Sequence, residues 1–221
     1  GMEAVEFWRW SNKDLEAVET ALRETQVPLA GILCEPIAAL TNDADHERFL
    51  AGVRESLAVA RRLNAPVMIA QAGPEQDGIS RAQQHASIVK VLKEAARIVE
   101  GSGVVIALEP LNDRVDHPGY YLTSTEEGLD IIDEVARPEI RLLYDIYHSA
   151  VMGEEVTVLE GRLDRVVHVH LADAPGRGEP GSGAMDWADR LEWLEKQGYA
   201  GLVGLEYRPT IGTVEGLAFR F

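Results

Sequence analysis

The sequence predicts an α/β fold, a TIM-type barrel of β/α units with seven strands visible. Three observations predict it. Short apolar runs rich in Val, Ile and Leu alternate seven times with longer amphipathic stretches, the pattern of βαβ units on a parallel sheet. Four of those runs end in a side chain able to hold a metal or move a proton: 104–108 meets Glu109, 140–144 meets Asp145, 166–169 meets His170, and 202–205 meets Glu206. Such residues at the ends of several different strands favour a barrel over an open doubly wound sheet. No glycine fingerprint for a dinucleotide follows the first strand.

The elements follow in order. Residues 3–8 alternate as a strand. A helix over 13–25, capped by Ser11 or Asn12, carries Leu15, Val18 and Leu22 at helical spacing. Strand 28–34 precedes a long helix over 43–63 with Phe49, Val53, Leu57 and Ala60 on one face. Strand 67–70 is followed by a helix capped at Ser80 and running to about 100, stopped by Gly101 and Gly103. Strand 104–108 opens into a polar loop over 112–122. Ser124 or Thr125 then caps a helix to 135, with Glu127 near the capping-box position. Strand 140–144, a looser helical segment over 154–162, and strand 166–171 come next. A Gly/Pro-rich loop over 174–183 leads to a helix over 186–197, strand 202–205 and a short tail to Phe221.

The chain has 221 residues, 46% of them hydrophobic, enough for one sizeable core; a single domain over 1–221 is expected. With 21 basic and 37 acidic residues the net charge is −16, which opposes a nucleic-acid or anionic-membrane partner. The single cysteine, Cys34, excludes an intrachain disulfide and a cysteine-rich zinc site, and it reads as a buried strand residue. No apolar run approaches the ~20 residues of a membrane span, and no signal peptide is visible. A cytoplasmic protein acting on a small molecule is expected.

Glu109, Asp145, His170 and Glu206 are separated by 36, 25 and 36 residues, each about one β/α unit, so neighbouring strand ends point them at one place. Three carboxylates and one imidazole suit a divalent cation such as Mn²⁺, Mg²⁺ or Co²⁺. Singly, each has a bland reading. Glu109 fits a solvated loop residue, Asp145 an N-cap, and His168 or His170 a satisfied barrel histidine. Their recurrence at four strand ends favours the metal site.

Several segments resemble one family: Leu108-Glu109-Pro110-Leu111-Asn112, Asp116-His117-Pro118-Gly119-Tyr120, Leu143-Tyr144-Asp145-Ile146-Tyr147-His148, His168-Val169-His170-Leu171-Ala172-Asp173, Arg177, Glu179-Pro180-Gly181-Ser182-Gly183 and Gly204-Leu205-Glu206-Tyr207. Together they resemble the hydroxypyruvate isomerase family within the xylose-isomerase-like sugar isomerases and epimerases. The resemblance runs from Val5 to about Pro209. It implies that Glu109, Asp145, His170 and Glu206 bind the metal, that Glu109 and Glu206 form the acid/base pair, and that His148 and Arg177 hold substrate oxygens. The implied reaction isomerises a small hydroxy-oxo acid, hydroxypyruvate to tartronate semialdehyde, through a cis-enediolate.

The planar fork of Arg177 matches a substrate carboxylate. His117 is a candidate substrate contact or lid residue, or else a turn residue beside Pro118-Gly119. Many hydroxypyruvate isomerases have glutamine where His170 stands, so a ketose 3-epimerase is the alternative. A non-catalytic barrel serving as a binding module is a second alternative. A related DNA-repair endonuclease is opposed by the charge and by the lack of its extra His-rich cluster.

The family barrel is (β/α)8, and residues 3–8 match its second strand, so the first β/α unit is expected to be missing. The two strand edges left by that gap predict a homo-oligomer or a covering tail. Trp8 and Trp10 are expected to wall the pocket or to pack the barrel mouth. Glu35 is expected at a polar rim, and His46 and His85 on solvated helix faces.

Overall fold

The computed structural model describes residues 2–217. Gly1 and residues 218–221, the end of the expected tail, lie outside the described residues. Seven strands, β1 (Val5–Phe7), β2 (Leu29–Leu33), β3 (Val67–Gln71), β4 (Val105–Glu109), β5 (Ile140–Asp145), β6 (Val166–Leu171) and β7 (Val203–Leu205), pair in sequence order, all parallel. Between them run α1 (Leu15–Thr25), α2 (His46–Leu63), α3 (Arg81–Val99), α4 (Thr125–Val135), α5 (Ile146–Met152) and α6 (Trp187–Lys196), and α7 (Thr213–Gly216) follows β7. The result is a nearly closed TIM barrel. Among the described residues no hydrogen-bonded ladder joins β7 back to β1. No helix among them is long and apolar enough to cross a membrane.

Strand side chains alternate between two faces, and burial shows which is which. Met68, Ile106, Leu108, Leu142, Tyr144, Val169 and Leu171 join the large core packed against the helices. Leu33, Val67, Ile69, Ala107 and Leu143 form a small cluster inside the barrel. The inward parity carries on to Glu109 after Ala107 and to Asp145 after Leu143. In β6 the pairing with β5 shifts by one residue, from Leu142↔Val166 to Leu143↔His168. That bulge turns His168 and His170 inward, in line with Leu143 and Asp145. On β7, Val203 and Leu205 pack outward, so Gly204 and Glu206 face in.

Several local expectations change. Asp14, not Ser11 or Asn12, caps α1, accepting from the amides of Glu16 and Ala17. Ser11 is occupied elsewhere: Glu35 is buried, not at a rim, and accepts from Trp10 N, Ser11 N and Ser11 Oγ. Ser80 caps α3 in a full capping box with Gln83, as expected for its N-terminus. His46 is buried rather than solvated, its Nε2 2.8 Å from Ser87 Oγ. In the segment 154–162, expected to be loosely helical, the helix is a single 3-10 turn, Val156–Leu159. An α-helix that the pattern did not announce, α5, precedes it and starts directly at the end of β5, where Asp145 caps it.

Gly52 of α2 lets that helix approach the chain after β2. A Cβ there would meet Glu35 O at 2.3 Å and Pro36 Cδ at 2.6 Å. Gly52→Ala is therefore expected to destabilise the barrel by about 1–3 kcal/mol despite the better helix propensity of Ala. Urea denaturation checks this; an unchanged or raised midpoint would contradict the tight packing.

Candidate metal and acid–base site

The four strand-end residues meet. Glu109, Asp145, His170 and Glu206 each offer one ligand atom, and these atoms all lie within 4.8 Å of one another. Register brings them together: Asp145 sits opposite His170, and Glu206 N donates to Leu171 O at 3.1 Å. Glu109, Asp145 and His170 are buried, and Glu206 is nearly so. His170 Nδ1 lies 3.4 Å from both Glu109 Oε1 and Glu206 Oε2.

Two of these atoms, Glu109 Oε1 and His170 Nδ1, are buried with no hydrogen-bond partner. An orphaned buried carboxylate oxygen and imidazole nitrogen cost free energy unless a further group satisfies both. The donor set, three carboxylates and one imidazole converging on a small volume, fits a divalent cation. Asp145 takes the capping role while standing among the ligand candidates. Its Oδ1 caps α5 at His148 N, 2.9 Å away, and its carboxylate stands within the cluster.

Burial and charge crowding together set the acid–base properties. Burial, reinforced by the nearby Glu206 and Asp145, raises the pKa of Glu109 although His170 opposes this. Burial works to raise Glu206 too, but His170 and Arg177 outweigh it and hold its carboxyl below the usual range. For His170, burial opposes protonation and is overcome by Glu109, Glu206 and Glu6, so its pKa is raised. The carboxylate pair is thus pushed apart by environment, as in known acid/base pairs.

A polar pocket adjoins this cluster. Arg177 is buried, and its Nη2 donates to Glu206 Oε2 at 2.7 Å. Its Nη1 lies 3.7 Å from Asp116 Oδ1, and its guanidinium lies 5.3 Å from the Tyr147 ring centroid. Arg177 has φ +55°, a left-handed conformation unusual for a non-glycine residue. The loop holds it there: Arg208 N donates to Arg177 O at 2.7 Å, and Asp173 accepts from the amides of Ala174, Gly181 and Met185.

His148 Nδ1 accepts from Asn112 N at 3.0 Å, which places its hydrogen on Nε2. That Nε2 is buried without a partner, 3.7 Å from Asp145 Oδ2. His117 Nε2 is likewise orphaned, and the two rings lie 5.5 Å apart. Burial lowers the pKa of both, and Arg177 adds to the effect. Both shifts favour the uncharged imidazole.

Four contributors escaped the sequence reading. Asp116 accepts from Asn112 Nδ2 and Tyr147 OH, each at 2.8 Å, and so braces the pocket floor. Tyr147 and Asn112 stood inside recognisable motifs without an assigned role. Glu6 was missed outright; its Oε2 lies 2.9 Å from His168 Nε2 and 3.4 Å from His170 Nε2. A lone acid alternating with Val5 and Phe7 in the first strand was the available signal. Trp8 lines a cavity of about 170 Å³ with Glu6, His170, Glu206 and Tyr207. Trp10 instead packs at the barrel wall and donates Nε1 to Ser56 Oγ at 3.0 Å.

A family model described as a xylose isomerase-like TIM barrel matches residues 1–220. Hydroxypyruvate isomerase of Escherichia coli K12 is 34% identical over 188 residues, 85% of this chain and 70% of the relative. A Brucella melitensis crystal structure named AP endonuclease, family 2, superposes with TM-score 0.90 at 26% identity, covering 99% of this chain and 87% of that one. The zinc-bound IOLI protein superposes with TM-score 0.82 at 19% identity over 95% of this chain and 81% of that one, a likeness of fold alone.

Proposed function

The chain belongs to the hydroxypyruvate isomerase family of xylose isomerase-like TIM barrels, and from that premise we propose that it is a divalent-metal-dependent isomerase of a small hydroxy-oxo acid of the hydroxypyruvate type. The observation that carries this reading is the convergence of four strand-end ligand atoms beside a buried, forked cation, Arg177.

Glu109, Asp145, His170 and Glu206 would hold the cation, with the imidazole favouring Mn²⁺ or Co²⁺ over Mg²⁺. When bound, the cation would supply Lewis acidity that offsets the negative charge developing on the substrate as the proton is removed. Arg177 takes the substrate carboxylate in its planar fork and fixes which carbon faces the glutamates. Glu206, or Glu109 from across His170, removes a proton from the hydroxymethyl carbon. A proton is then delivered to the former carbonyl carbon, while the hydroxyl proton passes to the former carbonyl oxygen. The net result is an aldehyde beside a new secondary alcohol, with no change in overall composition. His148 Nε2–H and the His117 imidazole are the groups placed to donate to or accept from those oxygens.

A panel of hydroxypyruvate, tartronate semialdehyde and neutral ketoses tests the reading. Interconversion of the two acids, with solvent deuterium entering at carbon, is the expected result. Faster turnover of a neutral ketose by epimerisation would overturn the assignment to acids. Arg177→Met should lower kcat/KM for the acid about 10²-fold, the magnitude of a charge-assisted hydrogen bond, and leave any slow turnover of a neutral ketose less affected. Arg177→Lys should recover only part of the loss. Equal losses on acid and ketose would assign Arg177 to Glu206 alone.

A further inference from the structure

Inside the barrel, where β1 and β7 are not laddered together, one side chain bridges the gap. Glu6 projects from β1 to β6 and places Oε2 2.9 Å from His168 Nε2. The same carboxylate lies 3.4 Å from His170 Nε2 through either oxygen. His170 is thus held from both sides of its ring. Nε2 faces Glu6, while the orphaned Nδ1 faces Glu109 and Glu206. A carboxylate acceptor at Nε2 keeps hydrogen on that nitrogen, so that a cation displacing the ring's other proton would meet the Nδ1 lone pair aimed into the ligand cluster.

The fit is built. His168 is buried and stands edge-on to His170, ring centroids 5.0 Å apart. On β7 the facing residue is Gly204, where a Cβ would meet Glu6 Oε1 at 2.1 Å and His170 Cδ2 at 2.9 Å. Any side chain at 204 would displace the carboxylate from the imidazole.

We propose that Glu6 is a positioning residue of the metal centre: anchored by His168 and admitted by Gly204, it orients His170 and raises that ring's basicity toward a divalent cation. The inference rests on the metal-centre reading above. It gives β1 a part in the site although no residue of β1 stands among the four ligands. It also explains why the two inward histidines of β6 differ in duty, His168 holding the carboxylate and His170 presenting Nδ1.

The test is Mn²⁺ binding, by calorimetry and by competition with a chromophoric chelator, on wild type, Glu6→Gln, Gly204→Ala and Asp145→Asn. Thermal unfolding of each metal-free protein runs in parallel. The expected result is one Mn²⁺ per wild-type chain and ~10–100-fold weaker binding in Glu6→Gln, the usual cost of removing such a partner. Gly204→Ala should weaken binding in the same direction, because it moves the carboxylate without removing its charge. Asp145→Asn, which removes a ligand, reports on the centre itself.

Wild type that binds no Mn²⁺ would overturn the metal-centre reading and the inference with it. Weakened binding in Asp145→Asn with wild-type affinity in both Glu6→Gln and Gly204→Ala would overturn the positioning role alone. Two ions per wild-type chain, falling to one in Glu6→Gln, would also overturn it, making Glu6 a direct ligand of a second ion. A lower unfolding midpoint with unaltered affinity would reduce Glu6 to a structural bridge across the seam.

Discussion

Glu206→Gln is expected to lower turnover of the hydroxy-oxo acid by ~10²–10⁴-fold, the range lost when a positioned general acid or base is removed. The change is nearly isosteric but leaves the buried Arg177 without its counter-charge, so the fold should survive, destabilised by about 1–3 kcal/mol. Three contacts make the loss large. Glu206 Oε2 is held at 2.7 Å by Arg177 and stands 3.4 Å from His170 Nδ1. Burial works to raise its pKa, but His170 and Arg177 keep the carboxylate ionised. An amide there neither accepts the substrate proton nor offsets the charge of Arg177, which also grips the substrate. Rates by a coupled assay, with circular dichroism as the fold control, decide it. A fully active Glu206→Gln protein would remove Glu206 from the chemistry and move the proton transfer to Glu109.

Removing divalent metal is expected to abolish activity and lower stability together. Without a cation, three carboxylates crowd around one imidazole with two buried atoms unsatisfied. Dialysis against chelator should therefore leave a folded but inactive protein, and Mn²⁺ or Co²⁺ should restore turnover better than Mg²⁺. A ligand that binds only the folded state stabilises it by ~2.7 kcal/mol at a hundredfold excess over Kd. For a chain of this size that raises Tm by roughly 5–10 °C. Both readouts are needed, since a rise in Tm alone would follow from a purely structural ion. Activity that persists undiminished in metal-free protein would sink the mechanism while leaving the fold untouched.

Much of this site was legible as strand ends. Each of β4 and β5 is a largely apolar run finished by a carboxylate, and strand parity carries that residue to the barrel interior. Glu109 and Asp145 follow directly from this. His170 does so only because a bulge between β5 and β6 corrects the parity of β6, which no pattern in 166–171 announces. The short helix α5 was missed for a related reason. Asp145 was readable as an N-cap or as a ligand, and taking the ligand reading first hid the short helix that it starts. His46 and Glu35 looked solvent-bound because their types usually are. Each is buried against partners distant in sequence, Ser87 for one and the Trp10–Ser11 backbone for the other.

By itself the sequence determined the β/α alternation, the parallel barrel and the strand ends on which the four ligand candidates stand, because those depend on local periodicity and chain order. Tertiary structure alone decided which atoms meet. Glu6 lies 164 residues from His170 and reaches it only because the first and sixth strands curve around to face each other inside the barrel. Arg177 finds Glu206 and Asp116 because Asp173 pins its loop in a left-handed turn. Barrel curvature and loop pinning are sums over many weak contacts, and no short stretch of residues carries them.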